Sequence, residues 1–245
     1  MAATQPLEFT LRTEQADLAG QPVQVDVYRP DRSTSADKLA VVAHGFTRSR
    51  ARHRDLGRAL AAAGITAVIP DLPHVDQWNN GGAIVELVHK LEAGTFGLPG
   101  IPRFRQVLIG TSAGGLAALL AAAKLPGLAG WVGLDPVDRT GSGIHAAAQL
   151  TSPAVVLLAE RSGCNLYGSG RAIARAVPGL LRATRLYGAS HCDFEGPTTK
   201  MCRVICGESS ADMRALARDA AVIAAVEMLR GDGDSPKPGM ELSPE

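Results

Sequence analysis

The chain has 245 residues, with 25 Lys plus Arg against 24 Asp plus Glu, a formal net charge of +1, 46% hydrophobic residues and 4% aromatics. So even a balance leaves no basic surplus to neutralise nucleic-acid phosphates, and the supply of Ala, Val, Leu and Ile excludes a charge-dominated disordered polymer. The longest uninterrupted apolar run, Leu116 to Ala123, is far short of the roughly 18 residues of a membrane-spanning helix, so neither nucleic acid nor stable membrane insertion is expected.

The opening segment Met1 to Thr10 lacks the cationic start and apolar stretch of a secretory leader. Beyond it, short β-branched runs alternate with Ala-rich stretches at helical spacing. That is the pattern of an α/β fold, a mostly parallel sheet covered by helices on both faces. In chain order the pattern predicts strands over Val23–Tyr28 and Leu39–His44, a helix over Arg52–Ala63, a strand over Ile65–Pro70 and a helix over Ile84–Leu91. Next come a strand over Gln106–Gly110, a helix over Ala113–Lys124, and strands over Trp131–Leu134 and Ala154–Ala159. A helix over Arg171–Ala176, a strand over Ala183–Tyr187 and a helix over Asp212–Leu229 complete the set. Met213, Leu216, Ala217, Ala220, Ile223, Ala224 and Leu229 share a stripe of the last helix that should dock on the sheet. One domain over residues 1–230 is expected, since α/β folds often run to about 250 residues undivided. The segment 231–245, with three Pro and three Gly among charges, is expected to be a disordered tail.

The predicted strand Gln106–Gly110 runs into Gly110, Thr111, Ser112, Ala113 and Gly114, and then into a predicted helix. This is G-x-S-x-G in a strand, turn, helix context, the arrangement that exposes a nucleophilic serine on a strained turn. The glycines are needed because a side chain at Gly110 or Gly114 would collide with a neighbouring strand or helix. Such a serine needs an oxyanion hole. One donor is the backbone N–H of Ala113, and the other comes from the loop after an earlier strand, where His44, Gly45 and Phe46 point to the N–H of Phe46. His44, at a strand end and before a glycine, reads as structural.

Six histidines are present, and chain order separates them: acid and then base follow the serine, which leaves His145 and His191. His191 follows the last predicted strand and precedes the last long helix, where a loop can lower an imidazole onto Ser112, so it is the expected base. For the acid, the strand Trp131–Leu134 ends at Asp135, Pro136, Val137 and Asp138. Pro136 should hold Asp135 extended and fix the direction of its carboxylate. Asp135 is therefore favoured over Asp138, which Arg139 can pair, and over Glu160 after the next strand.

These residues, namely His44 to Phe46, the elbow around Ser112, Gly133 to Asp138, and His191 to Phe194 in that order, resemble the chlorophyllases of the α/β-hydrolase superfamily. The resemblance runs from about Val41 to Leu229. It implies a serine esterase with Ser112, Asp135 and His191 as the triad, and the family's cysteine-containing segment before the final helix is similar to Cys202–Cys206. The chain departs from the family pattern on either side of the serine, with Thr111 and Ala113 in place of His and Arg. More loosely, it resembles the lidless cutinases and polyester hydrolases. Pro136 and Pro153 are 17 residues apart, too few for a lid domain, so an open site is expected, rimmed by Phe46, Trp78 and Phe194 and suited to bulky or extended esters. An ester substrate, no cofactor, no metal and a monomer are the accompanying expectations. A noncatalytic hydrolase-fold binding protein is the alternative class.

Cys164, Cys192, Cys202 and Cys206 all lie in the last third, without a zinc-like C-x-x-C pair. An even, clustered set suggests at least one disulfide and an extracytoplasmic home, against free buried thiols in a reducing compartment. Cys192 directly follows the expected base, so a bond from it to Cys164, Cys202 or Cys206 would restrain a loop of small residues.

Overall fold

The computed structural model describes residues 8–31, 38–198 and 200–230; the expected tail lies outside them. An antiparallel pair opens the sheet, β1 (Phe9–Leu18) and β2 (Gln21–Pro30), turning at Ala19 and Gly20, which both have positive φ. β3 (Leu39–Ala43), β4 (Thr66–Pro70), β5 (Gln106–Thr111), β6 (Gly130–Leu134) and β7 (Ala154–Leu158) are buried along their whole length, and β8 (Leu180–Arg185) forms the far edge. The order is β1-β2-β4-β3-β5-β6-β7-β8, with β3 to β8 parallel and β2 antiparallel to β4.

Parallel strands that are apolar on both faces need cover on both. On one face Leu39, Val41 and Leu108 pack under α2 (Gln77–Ala93), α3 (Ser112–Ala122), α4 (Ser142–Ala148) and α5 (Gly170–Ala176). Their neighbours Ala40, Val42 and Ile109 point the other way, toward α1 (Arg54–Ala62) and α7 (Ala211–Met228). A further short helix, α6 (Lys200–Cys206), lies outside these two layers.

Several elements differ from expectation. Strand β1 and helices α4 and α6 are additional, β8 begins three residues early, and α2 starts at Gln77 rather than Ile84 because the Asp76 carboxylate accepts the Asn79 N–H at 2.8 Å and caps it. The docking face of α7 is also rotated from the expected stripe. Leu216 and Ile223 are 45% and 62% exposed, and Ala217, Ala221, Ala224 and Ala225 are buried. Alanines let α7 lie close to the sheet, with Leu229 buried at its end and Met213 and Met228 packed at the margin, while Leu216 and Ile223 stand outside the contact.

Two glycines test the geometry. A Cβ on Gly114 would run into the backbone carbonyls of Ala43 and His44, whereas one on Gly82, in the exposed interior of α2, would meet nothing within 4 Å. We expect Gly114→Ala to cost about 1–3 kcal/mol or more and Gly82→Ala to stabilise by up to about 1 kcal/mol. Thermal melts of the two variants check this: the first should fall below wild type and the second should not.

Candidate active site

The chain leaves β5 and enters α3 through Ser112, whose φ of 55° lies in the left-handed region that β-carbon sterics disfavour. That strain is held by contact on both sides: a Cβ on Gly110 would overlap the carbonyl of Gly114, and Gly114 itself lies against the end of β3. The Ser112 carbonyl accepts the Val137 N–H at 3.1 Å, tying the turn to the strand end that carries Asp135.

The structure brings three of the predicted residues into one chain of hydrogen bonds. Ser112 Oγ and His191 Nε2 are 3.0 Å apart, and His191 Nδ1 and Asp135 Oδ2 are 2.6 Å apart. Asp135 is 1% exposed and needs partners for both oxygens: Oδ1 accepts the Ala159 N–H at 3.1 Å, and Oδ2 also accepts Asn165 Nδ2 at 3.0 Å. Its backbone corrects the expectation of an extended residue before Pro136. The φ is 43°, and the N–H still donates to Leu157 at 2.7 Å, so the chain keeps its place beside β7 while the carboxylate swings toward His191. Aspartate tolerates this region better than most residues. Asn165 escaped the sequence reading because only the fold brings it back to Asp135. Fully buried, it also donates to the Glu160 carbonyl and accepts the N–H groups of Ser162 and Gly168.

His191 opens a single 3-10 turn (His191–Phe194) capped by Ser190, whose N–H and hydroxyl both donate to Asp193 Oδ2. The other oxygen of Asp193 accepts Ser209 Oγ and the Ser210 N–H, so this buried carboxylate anchors the loop to the start of α7. The remaining acidic and basic candidates lie elsewhere. Asp138 accepts the N–H groups of Thr140, Gly141 and Gly143, Glu160 pairs with Arg185, and His145 contacts Gln149 on the surface.

His44 is buried, accepts the Leu72 N–H on Nε2 at 2.9 Å and so carries its proton on Nδ1, which donates to the Gly45 carbonyl at 2.9 Å. Burial holds its pKa below the ordinary imidazole value, against the pull of that carbonyl and of Glu195, and the ring stays neutral. The Gly45 carbonyl also accepts the Arg48 N–H. Because the Gly45–Phe46 peptide is trans, the Phe46 N–H points away from those donors. Ala113 lies in the first turn of α3, where N–H groups have no intrahelical partner.

Ser112 and His191 open onto a cleft of about 730 Å³ whose apolar wall includes Phe46, Val75, Leu116, Val137 and Ile205, with Arg48, Arg139 and Glu195 among its polar residues. Phe46 is at the rim and half exposed. The other two expected rim residues are placed differently. Phe194 is 5% exposed and belongs to the core under α1 and α7, because the 3-10 turn directs it inward, and only its carbonyl reaches the elbow, accepting Thr111 Oγ. Trp78 is exposed on α2 but does not line the cleft; its ring faces Lys124 Nζ at 5.9 Å. No lid domain separates β6 from β7, where α4 is the one helix.

All four cysteines are bonded, Cys164 to Cys206 and Cys192 to Cys202. Both bonds end on α6, one leading from the loop of Asn165 and the other from the residue after His191.

The α/β architecture agrees with comparison to known proteins. Residues 40–238 match the model of the alpha/beta hydrolase family, and the chain belongs to that family. Its backbone is similar to the crystal structure of a dienelactone hydrolase from Anabaena variabilis, with a TM-score of 0.71 over 91% of this chain and 99% of that one, at 18% identity. In all, 1178 solved chains match, so this likeness marks a widespread fold and does not select a substrate. No curated protein matches in sequence.

The disulfides make separable contributions. The closed loops span 42 and 10 residues, for which the chain-entropy relation gives about 4 kcal/mol for Cys164–Cys206 and about 3 kcal/mol for Cys192–Cys202. Paired serine substitutions should therefore lower the melting temperature more for the first bond and hydrolytic turnover more for the second, which adjoins His191. Ellman titration of the denatured, unreduced protein should read no free thiol.

Proposed function

We propose that the protein is a serine carboxylic ester hydrolase in which Ser112 is the nucleophile, His191 the general base and then acid, and Asp135 the group that orients and stabilises the imidazolium. The observation that carries this reading is the continuous contact from Ser112 Oγ through His191 to Asp135, on a strained elbow that opens into a cleft. His191 Nε2 takes the hydroxyl proton as Oγ attacks the ester carbonyl. The developing oxyanion is received by the N–H groups of Ala113 and Phe46. Collapse expels the alcohol, which takes the proton from His191, and the acyl-enzyme is then cleaved by water activated through the same imidazole. The original serine proton has left on the alcohol; the attacking water gives its proton to His191, which returns it to Ser112 Oγ as the acid leaves, so the enzyme ends in its starting protonation state.

The cleft supports esters with a bulky or extended apolar part, since its volume and apolar wall exceed what a short acyl group needs. The resemblance to chlorophyllases supports the same substrate class. The two disulfides support an oxidising compartment.

A fluorophosphonate probe tests the nucleophile: wild type should be labelled on Ser112, and Ser112→Ala should not be labelled at all. Asp135→Asn should lower turnover by about 10⁴, because an amide misorients the imidazole and cannot stabilise its charged form. Glu160→Gln should stay close to wild type, and a crippled Glu160→Gln with an active Asp135→Asn would move the acid to the end of β7. A panel of p-nitrophenyl esters of rising chain length, with chlorophyll and a polyester added, reads the substrate class.

A further inference from the structure

Glu195 lies four residues past His191 and points back across the site at the loop that follows β3. It ends the 3-10 turn with extended backbone, φ −138° and ψ 132°, and the next residue, Gly196, donates its N–H to the Arg52 carbonyl at 2.9 Å. Its side chain is 11% exposed. Oε1 accepts the Gly45 N–H at 2.5 Å and faces His53 Nε2 at 3.4 Å, and Oε2 faces Arg48 Nε at 3.7 Å. All three partners come from one short stretch, residues 45 to 53. The carboxylate is also beside the nucleophile: Oε1 and Ser112 Cβ both lie within 3.3 Å of the point that a Cβ on Gly45 would occupy.

We propose that Glu195 is a positioning residue of the oxyanion hole, holding the Gly45 peptide from the base loop so that the Phe46 N–H keeps its aim. This rests on the serine esterase reading above. The Gly45 carbonyl is held from one side by His44 and the Arg48 N–H, and Glu195 fixes the amide of the same residue. Two successive peptides are thereby locked, and the Phe46 N–H follows from the second. A glycine at this position gives the backbone freedom that the bond to Glu195 removes. Burial alone would raise the pKa of Glu195 and favour its neutral form. The facing His53 ring and the Gly45 N–H outweigh it and hold the group below its ordinary value, as the anionic acceptor.

Reach and charge can be separated by substitution. Glu195→Gln keeps an acceptor oxygen at the same distance without the charge; Glu195→Asp keeps the charge but withdraws it from Gly45. The assay is hydrolysis of a p-nitrophenyl ester, with inhibition by an alkylboronic acid, which forms a tetrahedral adduct on serine. With one oxyanion donor worth about 10² to 10³ in kcat, misaiming it should cost Glu195→Asp about 10-fold or more in kcat with KM nearly constant. Boronate affinity should fall in parallel, and Glu195→Gln should recover kcat to within about threefold of wild type. A fully active Glu195→Asp, a loss confined to KM, or equal losses in both variants with boronate affinity unchanged would overturn the proposal. Fluorophosphonate labelling of wild type separates the two levels. If wild type is labelled and Glu195→Asp is unimpaired, only this role falls; if wild type is neither labelled nor active, the esterase reading falls and takes this role with it.

Discussion

The close approach of Gly114 to the end of β3 sets the geometry on which the rest of the site depends. At this point α3 leaves β5 so tightly that a β-carbon has no room against the carbonyls of Ala43 and His44. The same contact brings the start of α3, with Ala113, beside the loop bearing Phe46, so the proposed nucleophile and both proposed oxyanion donors are assembled by one packing event. Ser112 bears the backbone strain, and burial of β3 and β5 in the sheet centre maintains it.

Around that point the parallel sheet supplies the remaining groups from one edge. β6 leads directly into Asp135, and the chain returns from β8 through His191, so each side chain is delivered by a different strand end of a common layer. Buried carboxylates carry much of the organisation: Asp135 is held by Ala159 and Asn165, and Asp193 by Ser190, Ser209 and Ser210. Each has partners for both oxygens, which is the condition for burying charge without forfeiting stability. Helix α6 then braces the Asn165 loop, beside Asp135, and the His191 turn together through its two disulfides.

Much of this was legible in the sequence because it is written locally. The elbow could be found from Gly110, Ser112 and Gly114, and the sheet from β-branched runs that need cover on both faces. Chain order narrowed the histidines to two, and the strand end at Asp135 offered an acid. What stayed hidden depends on contacts distant along the chain. Asn165 is 30 residues from Asp135, and nothing near it in sequence points to a carboxylate. The strand β1 is mostly exposed and polar, so it carries no core signal. Phe194 was misplaced because the direction of a side chain in a single 3-10 turn is set by the packing beneath it. The face of α7 is only partly legible, with Ala217, Ala224 and Leu229 buried as expected, because the centre of its contact is made of alanines, which bury well against a flat sheet yet weigh little in a pattern of large apolar residues.

The central claim is that Ser112 is acylated during turnover, and the acyl-enzyme can be weighed. Rapid mixing with an activated p-nitrophenyl ester, acid quench within the first turnover and peptide mass spectrometry read it directly. The account predicts one acyl group on the peptide that contains Ser112, appearing with a burst of nitrophenol and absent from Ser112→Ala. Turnover with no adduct on that peptide, or an adduct on another residue that turns over, would contradict it.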